Sequence, residues 1–452
     1  MASFEQQTVI RRADEQHSSP LGLLCLVTVA AGLITPRTLS FLVPALLIST
    51  LADRALRGSL VASLRDGAGS RSARFVSLSI FAFFAYAALS AFWSQSPMVA
   101  VEKAGVGALL AFVTLACAFT APPKARLDLP LLNGLWVGLT VGALFLSVEL
   151  ATGQAIKIAV VNALGFREGQ INPAKFMTWE NGRLYKIGMA ALTRSMAPLV
   201  LLLPAAIAAI MLCANPALKR YFVALLVASA VFAIGASDSQ TAKLALIVGA
   251  GVALAATWSL DWTRRLLMTG WGMVCLLILP ITFGLQAIEI NRYTTAKELL
   301  AGASPAIRIE ILAAYSSRVM ERPIFGHGTN MSYVIGPQSD AETESATGHA
   351  ATGGMRQHPH NVYMQVWFEL GAVGAVLLTL VGVSILSAIA KLPSCAQPMA
   401  YVTFAVVATV LAPSYGMWQY WFMTAIALAA FAATQVATRY SATTPAQPPE
   451  AT

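Results

Sequence analysis

Imidazole, amide and carboxylate side chains gather where one apolar segment of the chain begins. The stretch HPHNVYMQVWFELGAVGAV opens with His358, His360 and Asn361 and then becomes hydrophobic. Gln365 and Glu369 follow Asn361 at intervals of four residues, so these three side chains share one face of a helix. A histidine at the wet mouth of a cavity suits general-base catalysis, because its ordinary pKa lies near neutral pH. We therefore expect His360 to be a general base and the other four to support it.

The same histidines allow other interpretations. His358 and His360 have the HxH spacing that can bind zinc on a strand, but Pro359 and the helix start argue against a strand. No cysteine pair or HExxH motif accompanies them, so we expect no metal ion. His327 and His349 fit exposed loop histidines.

The polar side chains on the helix face also have structural explanations. Asn361 and Gln365 are as compatible with hydrogen bonds to neighbouring helices as with a site. Glu369 lies about two turns into the apolar helix, where a charge is costly and usually faces a cavity. A structural ion pair at Glu369 is the alternative.

Arginine side chains predict an anionic substrate. A guanidinium presents a fixed fork of donors that matches phosphate oxygens. A reaction without a metal ion would need such cations to stabilise a diphosphate leaving group. We expect Arg308 to bind the diphosphate of a lipid. Arg194, about two turns into its helix, and Arg183 are further candidates, but arginines near helix ends also snorkel to headgroups.

The composition indicates what kind of chain positions these residues. The 452 residues are 57% hydrophobic and 11% charged, which excludes an ordinary soluble domain. A membrane span needs about 20 apolar residues in a helix. The apolar runs are 20–35, 38–52, 75–93, 104–122, 130–151, 187–213, 221–236, 244–260, 266–288, 362–390, 399–412 and 416–435. We predict an all-α polytopic integral membrane protein with about twelve transmembrane helices, whose basic pI reflects topology and not nucleic-acid binding.

The basic residues predict the orientation. If the N-terminus is cytoplasmic, most Lys and Arg residues of the short loops lie on the cytoplasmic side, as the positive-inside rule requires. The short outer loops then contain Arg37, Lys103 and Lys243. Both tails, 1–19 and a disordered 437–452, would be cytoplasmic.

Two long loops fall on the outer, periplasmic side in this topology. Residues 152–186 lie within the N-terminal transmembrane region 20–288, and residues 289–361 precede the C-terminal region 362–436. Long loops are exempt from the positive-inside rule, so a solvated surface or an anionic substrate must explain their basic residues.

The second outer loop contains a predicted amphipathic helix. Ser304 suits its N-cap and Pro305 its first turn. Its apolar stripe comprises Ile307, Ile311, Tyr315 and Val319. The stretch PQSDAETESATGHAATGGMRQ is polar and rich in glycine, so we predict a mobile loop that could gate large substrates.

Two motifs resemble a known family. PIFGHGTN, followed after a loop by HNVYMQVWFELGAVGAV, resembles the C-terminal signature of the O-antigen ligase and O-antigen polymerase superfamily, PlfGxG then HNxxLqxxxelGxxG. This signature spans Pro323 to Gly374. RIEIL…RVMERP upstream resembles the arginine-bearing outer helix of the family, and ALSAFWSQSPMVAVEKAG (Ala88–Gly105) resembles its early outer turn. The resemblance covers about 80–390 of the chain.

The resemblance implies a glycosyltransferase that moves a glycan from undecaprenyl diphosphate on the periplasmic face of the bacterial inner membrane. A ligase gives the glycan to lipid A–core, and a polymerase gives it to another lipid-linked glycan. The reaction would be inverting and independent of metal ions and other cofactors. The family histidine falls on His360, which would activate the acceptor hydroxyl, and one family arginine falls on Arg308, which would bind the diphosphate. Gly371 and Gly374 would allow close helix packing.

The chain departs from the family pattern in two places. The turn that usually holds a second arginine reads GASDSQTAKLA, so Lys243 or Arg194 would supply that charge. The family's G…NPN turn is replaced by KIGMAALTRSMAPL. The choice between ligase and polymerase, the sugar, the acceptor and the oligomeric state stay open.

Two other functions compete with the glycosyltransferase. A transporter or flippase of lipid-linked sugars would also have about twelve spans, but it should show internal repeats and broken helices near the membrane midplane. We find no convincing repeat, and the charges gather toward one membrane face. A structural scaffold would leave the outer polar residues dispensable.

Overall fold

Helices make up most of the chain. The computed structural model describes residues 20–56, 60–120, 129–170, 176–287, 304–347, 355, 357–413 and 415–443. Its helices are α1 (Pro20–Ile34), α2 (Leu39–Leu56), α3 (Leu60–Gly69), α4 (Arg71–Leu89), α5 (Pro97–Phe119), α6 (Leu129–Ala151), α7 (Ala155–Ala163), α8 (Thr193–Cys213), α9 (Lys219–Ala236), α10 (Gln240–Trp258), α11 (Leu260–Ala287), α12 (Ser304–Val319), α13 (Ser332–Thr347), α14 (Val362–Ile389), α15 (Gln397–Leu411) and α16 (Tyr420–Thr443). Two strands, β1 (Met177–Glu180) and β2 (Arg183–Ile187), lie between α7 and α8.

The apolar helices confirm the predicted fold class. Among the described residues, 10 helices are long and apolar enough to cross a membrane, and α1 and α15 are shorter apolar helices. Together they coincide with the apolar runs of the sequence. The protein is therefore an all-α, multi-pass membrane protein. α16 extends to Thr443, beyond the predicted end of the last transmembrane region at 436.

The first predicted outer loop contains an element that the sequence analysis missed. β1 and β2 pair as an antiparallel hairpin, with Met177 opposite Ile187 and Glu180 opposite Arg183. Asn181 and Gly182 have φ values of 51° and 76°. Two consecutive left-handed residues form the two-residue turn that matches the twist of paired strands.

The described residues group into two compact units. Unit 1 draws them from Met1–Ser63, Thr120–Lys243 and Leu428–Thr452, and unit 2 from Leu64–Phe119 and Leu244–Ala427. Each unit thus combines segments that are far apart in the sequence.

Glycines bring two helices of unit 1 into backbone contact. A Cβ atom at Gly134 of α6 would lie 2.2 Å from the carbonyl oxygen of Gly22 in α1. A Cβ atom one turn later, at Gly138, would lie 2.7 Å from the carbonyl oxygen of Leu26. Small residues at such spacing let membrane helices approach closely, and dispersion contacts then hold them together.

In unit 2, α14 packs against α4, α11, α12 and α15. The hydroxyl groups of Ser384 in α14 and Ser79 in α4 are 2.8 Å apart and share a hydrogen bond. The indole of Trp367 donates a hydrogen bond of 2.9 Å to the carbonyl of Cys275 in α11. α14 is therefore the helix around which unit 2 is arranged.

The predicted amphipathic helix is present as α12. It begins at Ser304, and Ile311, Tyr315 and Val319 are buried as the apolar stripe requires. The side chain of Ile307 lies outside the described residues. Tyr315 packs edge-on against Phe368 of α14, with ring centroids 5.0 Å apart. The stripe therefore fixes α12 to the first half of α14.

Where the sequence analysis predicted a mobile loop, the first part of the segment is helical. α13 covers Ser332–Thr347 and includes Pro337 within its first turns. Pro337 is the sixth residue of α13, so it removes one N–H from the hydrogen-bond ladder of this helix. The rest of the predicted loop, apart from Met355 and Gln357, lies outside the described residues.

The helix α14 is interrupted at Gly371, whose φ and ψ are 63° and −161°. The carbonyls of Phe368 and Glu369 accept hydrogen bonds from the N–H groups of His327 and Gly328, at 3.0 and 2.8 Å. In exchange, the N–H groups of Ala372 and Val373 donate to the carbonyls of Pro323 and Ile324, at 2.9 and 3.3 Å. The loop Pro323–Asn330 thus satisfies the backbone groups that the interruption leaves open.

Candidate active site

Three polar residues mark the start of α14. Asn361 is its N-cap, and the Asn361 side chain accepts a hydrogen bond of 3.0 Å from the N–H of Met364. His360 precedes it and is half-buried, whereas His358 is buried. The two imidazole rings are 4.2 Å apart between centroids. The sequence-predicted histidine pair is therefore assembled at the mouth of the helix.

The backbone of His360 has an uncommon conformation. Its φ is 51°, in the left-handed region that few residues other than glycine adopt. Its N–H donates a hydrogen bond of 3.2 Å to Nδ1 of His358. Because Nδ1 accepts, a neutral His358 carries its proton on Nε2. Backbone strain of this kind often accompanies functional positions.

A short segment before α16, Tyr415–Gln419, lies against the same region. The N–H of Met417 donates to Oε1 of Gln365 at 2.8 Å. The amide of Gln419 donates to the hydroxyl of Tyr333 in α13 at 2.9 Å. The sequence analysis placed 416–419 in the last apolar run, but the helix begins only at Tyr420. It assigned this segment no role in the site, because the groups that make its contacts belong to no motif.

The Glu369 carboxylate is buried and accepts hydrogen bonds from several parts of unit 2. Oε1 accepts from the Ser332 hydroxyl at 2.5 Å and the Gln365 amide at 2.9 Å. Oε2 accepts from the Asn330 N–H at 2.8 Å and the Trp418 indole at 2.5 Å. Glu369 therefore joins the 323–330 loop, α13 and the 415–419 segment to α14. These four partners are neutral donors and not the cation of the ion pair that the sequence analysis gave as an alternative.

Arg308 lies on the face of α12 that packs against α14. It is half-buried and precedes Ile311 and Tyr315 by three and seven residues, so it shares their face. Burial lowers the pKa of Arg308, and the nearby Tyr415 raises it. An arginine pKa is high enough that the group stays charged at neutral pH.

The 415–419 segment connects the surroundings of Arg308 with those of the histidines. Tyr415 interacts electrostatically with Arg308. At the next residue, Gly416, a Cβ atom would lie 3.3 Å from the His358 ring. The cation and the histidine pair therefore border one short segment of unit 2. This arrangement sets a group that can bind an anion and a group that can accept a proton along the same segment.

The other predicted cations belong to unit 1. Arg183 is exposed on β2, and Lys243 is half-buried in the first turn of α10. Arg194 was expected two turns into its helix, but a 3₁₀ turn over Met189–Leu192 precedes α8. Arg194 is therefore the second residue of α8, where it is exposed.

The comparison with known families adds to this geometry. Residues 225–379 match the family model described as O-antigen ligase. The chain carries an O-antigen ligase family domain. No curated protein matches the chain. The family match confirms the resemblance to the O-antigen ligase and polymerase superfamily and indicates a glycosyl-transferring role in the assembly of surface polysaccharides.

The O-antigen ligase domain includes Arg308, His358, His360 and Glu369, but it ends at residue 379. The 415–419 segment lies beyond it, although its side chains complete the hydrogen bonds of Glu369. The early turn that resembles the family also lies outside the domain. Its Ser90 hydroxyl accepts a 2.9 Å hydrogen bond from the N–H of Thr329.

One histidine of the O-antigen ligase domain differs from its prediction. His327 is buried and not exposed, and its ring stacks on Phe368 at 4.5 Å between centroids. Its Nε2 lies 3.0 Å from the carbonyl of Arg318. Because a carbonyl can only accept, Nε2 carries a proton and donates it. Burial lowers the pKa of His327. His349 lies outside the described residues.

The two glycines of the domain's ELGAVGA stretch meet different neighbours. A Cβ atom at Gly371 would lie 2.3 Å from the carbonyl oxygen of Ile324. The close approach expected there is therefore to the backbone of the 323–330 loop and not to another helix. At Gly374, a Cβ atom would lie 2.2 Å from Cβ of Leu370 in the same helix.

Proposed function

We propose that this protein transfers a glycan from undecaprenyl diphosphate to a hydroxyl acceptor on the periplasmic face of the bacterial inner membrane. The observation that carries the proposal is the grouping of His360, His358 and Arg308 around the 415–419 segment, within and next to an O-antigen ligase domain. The acceptor is lipid A–core for a ligase, or a lipid-linked glycan for a polymerase. In the topology predicted from the basic residues, both termini are cytoplasmic.

The proposed reaction is a single displacement. His360 removes the proton from the acceptor hydroxyl, and the acceptor oxygen forms a bond to the anomeric carbon of the glycan. The bond from that carbon to the diphosphate oxygen breaks, so the configuration inverts. The guanidinium of Arg308 stabilises the charge that develops on the diphosphate, and no metal ion takes part. Arg194, Lys243 and Arg183 stay predictions for donor binding.

The supporting residues have distinct roles in this proposal. Asn361 caps α14 and fixes where the helix begins. Gln365 and Glu369 hold the 415–419 segment through Met417 and Trp418. Their substitution should therefore lower activity by displacing the site, without removing a reacting group.

A glycan gel of a deletion strain complemented with variants tests the proposal. His360→Ala and Arg308→Ala should abolish the surface glycan while the protein stays in the membrane. Arg318→Ala is the matched control on α12, because the Arg318 side chain forms a surface pair with Glu321 and such pairs contribute little. Normal glycan with either well-expressed site variant would contradict the proposal.

The same gel distinguishes the two acceptors. Lipid A–core without a ladder, together with accumulated undecaprenyl-linked long chains, would indicate a ligase. A single repeat on the core, or loss of a separate polymer with an intact core ladder, would indicate a polymerase. Purified protein in detergent should also join donor and acceptor, which a transporter or flippase could not do because it forms no bond.

A further inference from the structure

The His358 ring occupies a narrow space beside His360. It is buried and lies 4.2 Å from the His360 ring and 5.9 Å from the Tyr333 ring, between centroids. On another side is Gly416, where a Cβ atom would meet the His358 ring at 3.3 Å and the Tyr333 hydroxyl at 3.1 Å. The orientation of the His358 ring is therefore determined by packing from several elements of unit 2.

The hydrogen bond between the two histidines has the geometry of a local turn. A side-chain acceptor at one residue binds the N–H two residues later, which is how Asn and Asp side chains stabilise turns. The residue that donates, His360, has the left-handed φ of 51°, and Asn361 returns to extended backbone with a φ of −153°. The side chain of His358 thus stabilises the left-handed conformation of His360 that precedes the helix cap.

We propose that His358 is a positioning residue for His360. Its Nδ1 holds the His360 backbone in the left-handed conformation and thereby fixes the imidazole of His360 at the mouth of α14. His358 acts through His360 and takes no part in bond formation. This inference rests on the proposed function, because it assigns His360 as the base.

Matched substitutions at position 358 separate the effect of losing the hydrogen-bond acceptor from the effect of changing the side-chain volume. His358→Asn keeps an acceptor that can reach the N–H two residues later. His358→Leu introduces a side chain of nearly the same size as Asn that has no acceptor. His358→Phe keeps a ring and lacks the acceptor. The Asn and Leu variants decide the question even if the Phe variant does not accumulate.

The measurement is the rate of glycan transfer by the full-length protein in detergent, with lipid-linked glycan extracted from the deletion strain as donor. His358→Leu and His358→Phe should lower kcat about 10- to 100-fold, since small displacements of a reacting group have effects of this size. KM for the donor should stay unchanged, because Arg308 is untouched. His358→Asn should stay within about threefold of wild type, since it keeps the acceptor.

Two results would overturn the inference: equal kcat values for the Asn and Leu variants, or wild-type kcat for His358→Phe. His360→Ala is measured in parallel, because it distinguishes a failure of the proposed function from a failure of the positioning role. If His360→Ala keeps its kcat, the proposed function fails. If His360→Ala is inactive while the Asn and Leu variants are equal, only the positioning role fails.

Discussion

The glycine that interrupts α14 gives the most direct test of the fold. A Gly371→Ala substitution would place a methyl group at a φ of 63° and a ψ of −161°, a region that is essentially restricted to glycine. The same methyl group would lie 2.3 Å from the carbonyl oxygen of Ile324 and 2.8 Å from the nitrogen of Gly326. Both neighbours are backbone atoms, so no side chain can rotate away.

The size of the effect follows from two contributions. Backbone strain of this kind costs about 1 to 3 kcal/mol. Moving the 323–330 loop away would break at least the hydrogen bonds from Ala372 and Val373, each worth about 1 kcal/mol net. We therefore expect Gly371→Ala to lower the free energy of unfolding by about 3 to 5 kcal/mol.

Unfolding of purified protein in mixed micelles, followed by circular dichroism, measures this change. Gly272→Ala in α11 is the matched control, because a Cβ atom there would meet no atom within 4 Å. The control should change stability by no more than about 1 kcal/mol, since alanine is the better helix former. Equal unfolding curves for the Gly371 and Gly272 variants would refute the reasoning.

Three further predictions concern individual contacts. Glu369→Gln should lower the free energy of unfolding by about 2 to 4 kcal/mol, because an amide NH₂ would face one of the donors that the carboxylate now binds; an unchanged unfolding curve would contradict this. His327 has a folded-state pKa below its ordinary value of 6.5, so its contribution to stability is present above pH 6.5 and is lost as the pH falls. The melting temperature should therefore fall more between pH 7.5 and 5.5 for wild type than for His327→Gln. An equal fall in the two proteins would contradict this prediction. For the hydroxyl pair of Ser79 and Ser384, a double-mutant cycle with alanine should give a coupling of about 0.5 to 1 kcal/mol, and additive effects would show that the bond contributes nothing.

The helices could be predicted well from the sequence because one local property, a long run of apolar residues, determines each span. Each span needs a long apolar run, and the apolar runs coincide with the apolar helices of the structure. The stripe of α12 was also predictable, since Ile311, Tyr315 and Val319 recur at helical spacing. These features depend on local composition and periodicity, which one sequence contains.

The hairpin was missed although the sequence contains its signal. Asn181–Gly182 is the dipeptide most typical of a two-residue hairpin turn. The flanking strands have only four and five residues, which is too short for a clear alternation of polar and apolar side chains. A search for turn dipeptides within the outer loops would have found it.

The site was predictable only in part. The positions of His360 and Asn361 followed from the motif and the helix start. The partners of Glu369 did not, because Asn330, Ser332 and Trp418 come from three segments separated from it by 39, 37 and 49 residues. A buried charge in a sequence indicates a need for partners, but it does not indicate whether they are cations, neutral donors or a wet cavity.

The exchange of hydrogen bonds at Gly371 has a consequence for biosynthesis. The 323–330 loop precedes α14 in the chain, so the ribosome completes it first. When α14 enters the bilayer, the backbone groups around Gly371 therefore have their partners already synthesised, and no later segment is required to close the interruption. The 415–419 segment is made after α14 and α15, and its Trp418 then completes the hydrogen bonds of Glu369. Nascent chains stopped between α14 and α16 should thus contain the closed interruption before the site is complete.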